Sequence, residues 1–268
     1  MPTTRDATAS RRLALITGAT SGIGRAFAER LAADGFDLLI VARDAPRLAA
    51  VASELASRHG VHAEPFAADL STDEATTRLV DRIVEGPALD LLINNAGFGT
   101  KGTLDSADPA RQAAMIRVHA MAPMRLTRAA LPAMLARERG TVINVSSVAS
   151  FTASALNVNY CATKAYLRVF SEALSMEVAS RGVTVQALCP GFTHTEFHER
   201  MHTSKGAIPG WMWMTADRVV DDSLAAARRG RPVVVIPGAA YRLIVWMLRH
   251  APRWLVRRGT ARYRRDRA

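Results

Sequence analysis

The sequence has little cysteine, no long hydrophobic run and no recognisable export signal. Its two cysteines, Cys161 and Cys189, provide no disulfide framework, which favours the reducing cytoplasm as the location of the protein. No run of about 18 apolar residues occurs, so the sequence predicts no membrane-spanning helix. The opening MPTTRDATASRR carries charges but no apolar core, which indicates a short disordered arm over residues 1–11 rather than a signal peptide.

Acidic residues are scarce at the C-terminal end, and this accounts for most of the formal charge of +11. Residues 231–268 contain ten arginines and a single acidic residue, Asp266. The rest of the chain is therefore nearly neutral. Neither zinc-finger spacing nor a basic heptad helix accompanies the arginines, so the pattern gives no support for nucleic-acid binding.

Short apolar segments alternate with longer helical patterns along the chain. Most of these segments are apolar throughout, as in strands that are buried on both faces of a parallel sheet. We therefore predict an α/β fold: one doubly wound (Rossmann) domain over residues 12–237, with about seven parallel strands and helices on both faces. The predicted strands are 13–17, 37–42, 61–67, 90–94, 141–146, 183–189 and 232–236.

A glycine-rich turn, TGATSGIG at residues 17–24, follows the first predicted strand and precedes a helical pattern. Glycines there allow a tight turn and a close approach of the backbone to a pyrophosphate, which the positive end of the helix stabilises. The pattern predicts dinucleotide binding. The residues expected to contact the cofactor are Thr17, Gly18, Ser21, Gly22, Ile23 and Gly24.

The end of the second predicted strand lacks the carboxylate that commonly binds the ribose of NAD. It reads VARD, so that Ala42 is followed by Arg43 and Asp44. A guanidinium suits the 2′-phosphate of NADP, because it can donate two parallel hydrogen bonds to phosphate oxygens. We expect NADP(H) as the cofactor; the alternative is a solvated Arg43, with Asp44 contacting the ribose.

Three candidate catalytic residues follow the fifth predicted strand: Ser147, Tyr160 and Lys164. Tyr160 and Lys164 are four residues apart and would share one face of a helix. An adjacent ammonium favours the phenolate form and would lower the tyrosine pKa from its ordinary value near 10. Ser147 would lie at the carboxyl end of a strand, where doubly wound sheets bind their ligands.

Taken together, these motifs resemble the classical short-chain dehydrogenase/reductase family over about residues 12–237. NNAG at 94–97, the Ser147–Tyr160 spacing and PGFTHT at 190–195 add to the glycine turn. The resemblance implies that Tyr160 gives a proton to a carbonyl oxygen, that Ser147 stabilises this oxygen, and that Lys164 holds the nicotinamide ribose and lowers the tyrosine pKa. Further cofactor contacts implied by the family are Asp69, Leu70, Asn95, Ala96, Gly97, Tyr160, Lys164, Pro190, Gly191, Thr193 and Thr195.

The sequence departs from the family at His119, where an asparagine is usual. In the family this residue interrupts its helix, and its main-chain carbonyl holds a water that belongs to a proton relay. Pro123 has no N–H to donate to the carbonyl of residue 119, so the main-chain role is expected to persist. We include His119 among the catalytic candidates on this ground; its imidazole would add a titratable group.

The segment 192–215 is predicted to be a helical lid over the substrate. Phe192, Trp211 and Trp213 are the expected substrate contacts, although ordinary core packing would also explain the two tryptophans. His194, His198 and His202 are spaced four residues apart, but the outer two are about 12 Å apart on a straight helix and cannot share one metal ion. No metal site is therefore predicted.

The basic extension 238–268 has two interpretations. A helix beside the substrate pocket or at a subunit interface is one; peripheral contact of residues 241–267 with an anionic membrane is the other. The resemblance is strongest to the branch of the family that acts on long-chain 3-oxoacyl or steroid ketones, and it implies a homo-oligomer, a dimer or tetramer. The expected activity is NADPH-dependent reduction of an apolar carbonyl substrate. The alternatives are alcohol oxidation at the same site and a catalytically silent protein that binds a cofactor or a membrane surface.

Overall fold

The computed structural model describes residues 11–100, 102–196 and 209–250, and these contain a single parallel sheet of seven strands. The order is β3-β2-β1-β4-β5-β6-β7, and every neighbouring pair is parallel. This confirms the predicted doubly wound α/β fold. The strands are β1 (Leu13–Thr17), β2 (Asp37–Ala42), β3 (Ala63–Ala67), β4 (Leu91–Asn94), β5 (Gly140–Val145), β6 (Val183–Leu188) and β7 (Val234–Val235).

Helices connect the strands and cover both faces of the sheet. Their starts follow local sequence: Asp44 accepts a hydrogen bond from the Arg47 amide, and Thr72 accepts one from the Ala75 amide. The helices are α1 (Gly22–Ala33), α2 (Ala45–His59), α3 (Asp73–Glu85), α4 (Pro109–Ile116), α5 (Ala122–Ala136), α6 (Val158–Glu177), α7 (Ala216–Arg228) and α8 (Ala239–His250).

The sheet separates two hydrophobic cores. On one face, α1, α2 and α7 pack against the strands through residues such as Phe27, Leu48 and Leu224. On the other, α3, α5 and α6 do so through residues such as Leu79 and Leu126. Burial on both faces explains why β1 and β2 are apolar almost throughout.

Strand order reverses between β1 and β4, because β2 and β3 lie on one side of β1 while β4 to β7 continue on the other. Open α/β sheets bind their ligands in the crevice outside the strand ends at this point. The fold therefore places the glycine turn, the end of β4 and the end of β5 around one crevice. Within the described ranges, no helix combines the length and the apolar character needed to cross a bilayer.

Candidate active site

One cleft of about 1430 Å³ opens at the carboxyl ends of the strands. It brings together most of the residues that the sequence assigned to the cofactor and to catalysis. Those that line it are Gly18, Ser21, Gly22, Ile23, Arg43, Asp69, Leu70, Asn95, Ala96, Gly97, Ser147, Tyr160, Lys164, Pro190, Gly191, Phe192, Thr193 and Thr195.

The glycine turn is shaped by close backbone packing. Gly18 has φ of +70°, and its N–H donates to the carbonyl of Val41 at 2.8 Å. A Cβ on Gly22 would lie 2.9 Å from the Thr195 side chain, on the opposite wall of the cleft. Ser21 precedes α1 without capping it through its side chain, so the helix start faces the cleft as a site for an anionic group. The turn fits the pyrophosphate of a dinucleotide.

Two residues of the turn act from behind it and do not line the cleft. The Thr17 hydroxyl is buried and accepts hydrogen bonds from the amides of Asn95 and Ala96 at 2.9 and 3.0 Å. Gly24 packs against the backbone of Gly18. Both positions hold the turn against β4, and the direct contact of Thr17 and Gly24 with the cofactor stays a prediction.

At the end of β2, Arg43 is exposed on the wall of the cleft and forms no ion pair with the described residues. Asp44 uses one carboxylate oxygen to cap α2. Arg47 also lines the cleft, but its guanidinium is bidentate on Glu196. Sequence reasoning missed Arg47, although its position one helical turn after Arg43 was a usable signal. The cleft wall thus offers an unpaired cation at the place where a 2′-phosphate would lie.

The catalytic candidates meet where β5 ends and α6 begins its second turn. The Lys164 ammonium is buried and donates to the carbonyl of Val145 at 2.8 Å, while the Ser146 hydroxyl donates to the carbonyl of Lys164 at 2.7 Å. The Lys164 Nζ atom lies 5.8 Å from the centre of the Tyr160 ring. The Ser147 hydroxyl accepts from the Ala149 amide at 3.1 Å. These contacts fix α6 against β5.

Burial dominates the ionisation of this pair. It raises the pKa of Tyr160 to about 12, although a hydrogen bond with Ser147 acts in the opposite direction. Burial also lowers the pKa of Lys164 to about 8. The expectation that Lys164 lowers the tyrosine pKa is not met in this geometry, since the ammonium lies over the ring and desolvation outweighs its charge. Tyr160 is therefore protonated at neutral pH.

Apolar side chains also line the cleft, among them Leu156, Phe192, Ile244 and Leu248. Leu156 has φ of +67°, an uncommon conformation for a leucine, at the rim of the site. Sequence reasoning did not single out Leu156, Ile244 or Leu248, because nothing local marks them as substrate contacts.

The two tryptophans assigned to the substrate are not among the residues that line the cleft. Trp211 is 67 % exposed and Trp213 stacks on His194, with ring centres 4.9 Å apart. Trp213 also packs against Phe192, which lines the cleft, with ring centres 5.6 Å apart, so contact of the two tryptophans with the substrate stays a prediction. Residues 197–208 of the predicted lid, including His198 and His202, lie outside the described residues, as do residues 1–10 of the predicted arm.

A family model described as short chain dehydrogenase matches residues 12–206. The chain belongs to the short chain dehydrogenase family. Its members are NAD(P)-dependent oxidoreductases, and this chain is therefore an NAD(P)-dependent oxidoreductase.

The chain is similar to two reductases of named activity and to one protein of solved structure. The 3-oxoacyl-[acyl-carrier-protein] reductase FabG of Aquifex aeolicus (strain VF5) is 35% identical over 188 residues, covering 69% of this chain and 75% of the relative. The very-long-chain 3-oxoacyl-CoA reductase of Anas platyrhynchos is 33% identical over 187 residues, 68% of this chain and 60% of the relative. A short-chain dehydrogenase from Sphingobium yanoikuyae, solved in complex with NADPH, is 32% identical, with a TM-score of 0.80 and 96% of each chain covered.

His119, the departure from the usual asparagine of the short chain dehydrogenases, is fully buried and does not line the cleft. Its Nε2 accepts from the Phe98 amide at 3.0 Å, so the proton is on Nδ1, which lies 3.0 Å from the Thr163 hydroxyl. Thr163 in turn donates to the carbonyl of Tyr160 at 3.1 Å. The imidazole thus connects the loop after β4 to the helix that carries Tyr160.

Burial, and then the Lys164 charge, lower the pKa of His119 well below its ordinary value. The imidazole is neutral at physiological pH, so the added titratable group expected from the sequence is not present there. The interrupted helix does occur: residues Arg117–Met121 form a π-helical turn, in which the Ala122 amide donates to the Arg117 carbonyl. π-Helical turns are frequent at functional sites. Whether the main-chain carbonyl of His119 serves a relay stays a prediction.

We expect His119→Leu to lower the free energy of unfolding by about 2–3 kcal/mol, because the buried Phe98 amide and Thr163 hydroxyl each lose a partner. Urea unfolding followed by circular dichroism measures this. His62→Leu is the matched control, since His62 is exposed and should change stability by less than about 0.5 kcal/mol. Equal stability of the His119→Leu and wild-type proteins would contradict the contacts described for this imidazole.

Proposed function

We propose that this protein reduces the carbonyl of an apolar substrate, of the 3-oxoacyl or steroid-like ketone class, with NADPH. The observation that carries the proposal is the composition of the cleft described above. Its lining includes the unpaired Arg43, the catalytic candidates Ser147 and Tyr160, and apolar side chains such as Ile244 and Leu248. Sites for one small ligand usually have volumes of about 300–1,000 Å³, so a cleft of 1430 Å³ has room for a dinucleotide and a second molecule.

In this mechanism the bound cofactor supplies the hydride. Tyr160 donates its phenolic proton to the carbonyl oxygen, and Ser147 donates a hydrogen bond to the same oxygen as negative charge develops. Lys164 would hold the nicotinamide ribose and is protonated at neutral pH, because its pKa is about 8. The raised tyrosine pKa favours reduction, since this direction needs the protonated phenol, whereas alcohol oxidation needs the phenolate.

An oxidation screen of NADPH against 2-alkanones of increasing length, with NADH in parallel, tests the proposal. We expect kcat/KM to rise with chain length and to be higher with NADPH. Faster turnover of the corresponding alcohols with NADP⁺ at neutral pH would favour the oxidative alternative. No turnover in either direction would favour a catalytically silent protein, against which the intact Ser147, Tyr160 and Lys164 argue.

Replacing Arg43 by alanine is expected to raise the Kd for NADPH about tenfold and to leave that for NADH unchanged. A hydrogen bond to a charged group contributes about 1.5 kcal/mol or more, which corresponds to this factor. Titration of nucleotide fluorescence gives both constants. Arg78→Ala, an exposed arginine on α3 away from the cleft, is the control. A similar loss for both nucleotides would assign Arg43 to a contact that NAD also makes.

We further propose a homo-oligomer that forms through α4–α6 and the π-helical turn. These elements expose an unusual number of large apolar side chains: Ile116, Met121, Val158, Tyr166, Val169 and Met176. Sedimentation equilibrium measures the assembly.

A reducing cytoplasmic location is also proposed, since Cys161 and Cys189 are free and buried, and burial raises the pKa of both thiols.

Membrane contact through the extension is kept as the second candidate function, because α8 exposes Leu243, Trp246 and Met247 between arginines. Co-sedimentation of the full chain with anionic vesicles tests it. Residues 251–268 of the extension lie outside the described residues.

A further inference from the structure

Helix α8 lies beyond the residues that match the family, yet it borders the catalytic cleft. The family match ends at residue 206, and α8 begins at Ala239. Ile244 and Leu248 line the same cleft as Ser147 and Tyr160. The helix also packs against the short 3₁₀ turn Val148–Phe151, which directly follows Ser147. The segment that was predicted from the sequence as a C-terminal extension therefore contacts the catalytic region in two places, the cleft and the 3₁₀ turn.

One face of α8 makes these contacts. Tyr241, Ile244, Val245 and Leu248 are separated by three, one and three residues and lie on the same side of the helix. Tyr241 and Val245 are 3% and 2% exposed, which fixes the helix against the domain. Leu243 points the other way and is 57% exposed. The chain therefore contains a matched apolar residue on the outer face of the same helix.

Tyr241 connects α8 to the two segments that flank the cleft. Its hydroxyl accepts a hydrogen bond from the Phe192 amide at 2.9 Å and donates one to the Met212 carbonyl at 2.7 Å. Its ring packs against Gly191 so closely that a Cβ there would lie 2.0 Å from the ring atom that bears the hydroxyl. The turn Pro190–Gly191–Phe192 lines the cleft. Because Tyr241 is hydrogen-bonded to this turn and packs against it, the position of the turn depends on Tyr241.

We propose that the inner face of α8 is a specificity element of the active site. Ile244 and Leu248, which line the cleft, limit the length of the apolar part of the substrate. Tyr241 is a positioning residue that holds the Gly191–Phe192 turn in place. The assignment of a ketone substrate rests on the function proposed above; the role of α8 in shaping the cleft rests on the contacts of these three residues.

The chemistry of this wall specifies the substrate part that it contacts. The side chains of Ile244 and Leu248 have no hydrogen-bonding groups, so the complementary group is a hydrocarbon chain or ring face. Each methylene buried there strengthens binding about fourfold, until the chain reaches the wall. Beyond that length the gain should stop.

Leu248→Trp tests the wall by shortening the cleft. In this variant we expect the KM for 2-dodecanone to rise at least tenfold, while KM and kcat for 2-pentanone stay within twofold of wild type. Leu248→Ala should extend the chain length at which KM stops falling. Leu243→Trp places the same bulk on the outer face of the helix and should change neither KM nor kcat for either ketone. An equal loss with both ketones, or an equal effect of Leu243→Trp, would overturn the proposal.

Tyr241→Phe tests the positioning role without turnover. The loss of the Phe192 and Met212 hydrogen bonds is expected to raise the Kd for NADPH about three- to tenfold, measured by nucleotide fluorescence, with the ratio of KM values for the two ketones unchanged. Ser57→Ala, which removes an exposed hydroxyl on α2 away from the cleft, is the control. Unchanged NADPH affinity in Tyr241→Phe would show that the turn does not depend on this residue.

Thermal stabilisation by 2-dodecanone, measured with NADP⁺ at saturation, separates the two proposals. If the wild-type protein reduces no ketone, the proposed function fails. The α8 proposal is then still decided, because Leu248→Trp must abolish the ketone-induced shift in Tm and Leu243→Trp must keep it. A shift retained by Leu248→Trp would overturn it.

Discussion

Tyr160→Phe is expected to reduce kcat for ketone reduction by about 10³-fold while the Kd for NADPH stays within twofold of wild type. A positioned general acid contributes about 10²–10⁴ to a rate, and phenylalanine keeps the ring but removes the proton that the proposed mechanism transfers to the carbonyl oxygen. Burial keeps this proton on Tyr160 at neutral pH, since it raises the pKa to about 12. No other phenol lines the cleft along the described part of the chain.

Steady-state kinetics with NADPH and 2-dodecanone measure the loss, and fluorescence titration measures the cofactor affinity. Ser57→Ala removes an exposed hydroxyl on α2, away from the cleft, and should leave kcat unchanged. A Tyr160→Phe protein that retains more than about a tenth of wild-type kcat would assign the proton to another donor. A parallel loss of NADPH affinity would instead indicate that the phenol mainly supports the cofactor site.

The fold could be predicted because its signals are local. Strands buried on both faces need apolar residues at nearly every position, and β1 and β2 satisfy this. The glycine turn has few alternatives, since Gly18 adopts a positive φ and the backbone of Gly24 packs against it. Differences are confined to strand ends: β3 starts at Ala63 rather than at 61, and β7 has only two residues.

The missed parts of the site depend on contacts between distant segments. His119 meets partners 21 and 44 residues away, and no local pattern indicates that both ring nitrogens are engaged. Tyr241 reaches Phe192 across 49 residues. The tryptophans were assigned to the pocket from composition alone, which cannot distinguish a cleft wall from a ring stack such as that of Trp213 on His194.

The effect of Lys164 on the pKa of Tyr160 was predicted from their spacing in the sequence. The spacing predicts that the two groups are close, but it does not predict how deeply they are buried. A shared helix face brings an ammonium near a phenol, as observed, but the sign of the pKa change also depends on desolvation. Because both groups are buried, each is shifted toward its neutral form. A bound dinucleotide would add negative charge to the cleft, which favours the protonated form of Lys164.

The second large effect is expected at the glycine turn, where Gly24→Ala should raise the Kd for NADPH about 10- to 100-fold and destabilise the fold by about 1–3 kcal/mol. The added Cβ would lie 2.2 Å from the Gly18 carbonyl oxygen and 2.4 Å from the Asn95 amide nitrogen. Neither can move freely. The Gly18 carbonyl belongs to the backbone, and the side-chain amide of Asn95 also donates a hydrogen bond to the Thr17 carbonyl at 2.8 Å. The turn must therefore shift away from α1, and the anion site with it.

Gly210→Ala is the matched control, because a Cβ at Gly210 has no neighbour within 4 Å among the described residues. It should change neither NADPH affinity nor urea stability by more than the error of the measurement. If Gly24→Ala lowers stability but binds NADPH as tightly as wild type, the close packing at Gly24 supports the sheet alone. Loss of affinity with both proteins fully folded at the assay temperature assigns Gly24 to the shape of the cofactor site.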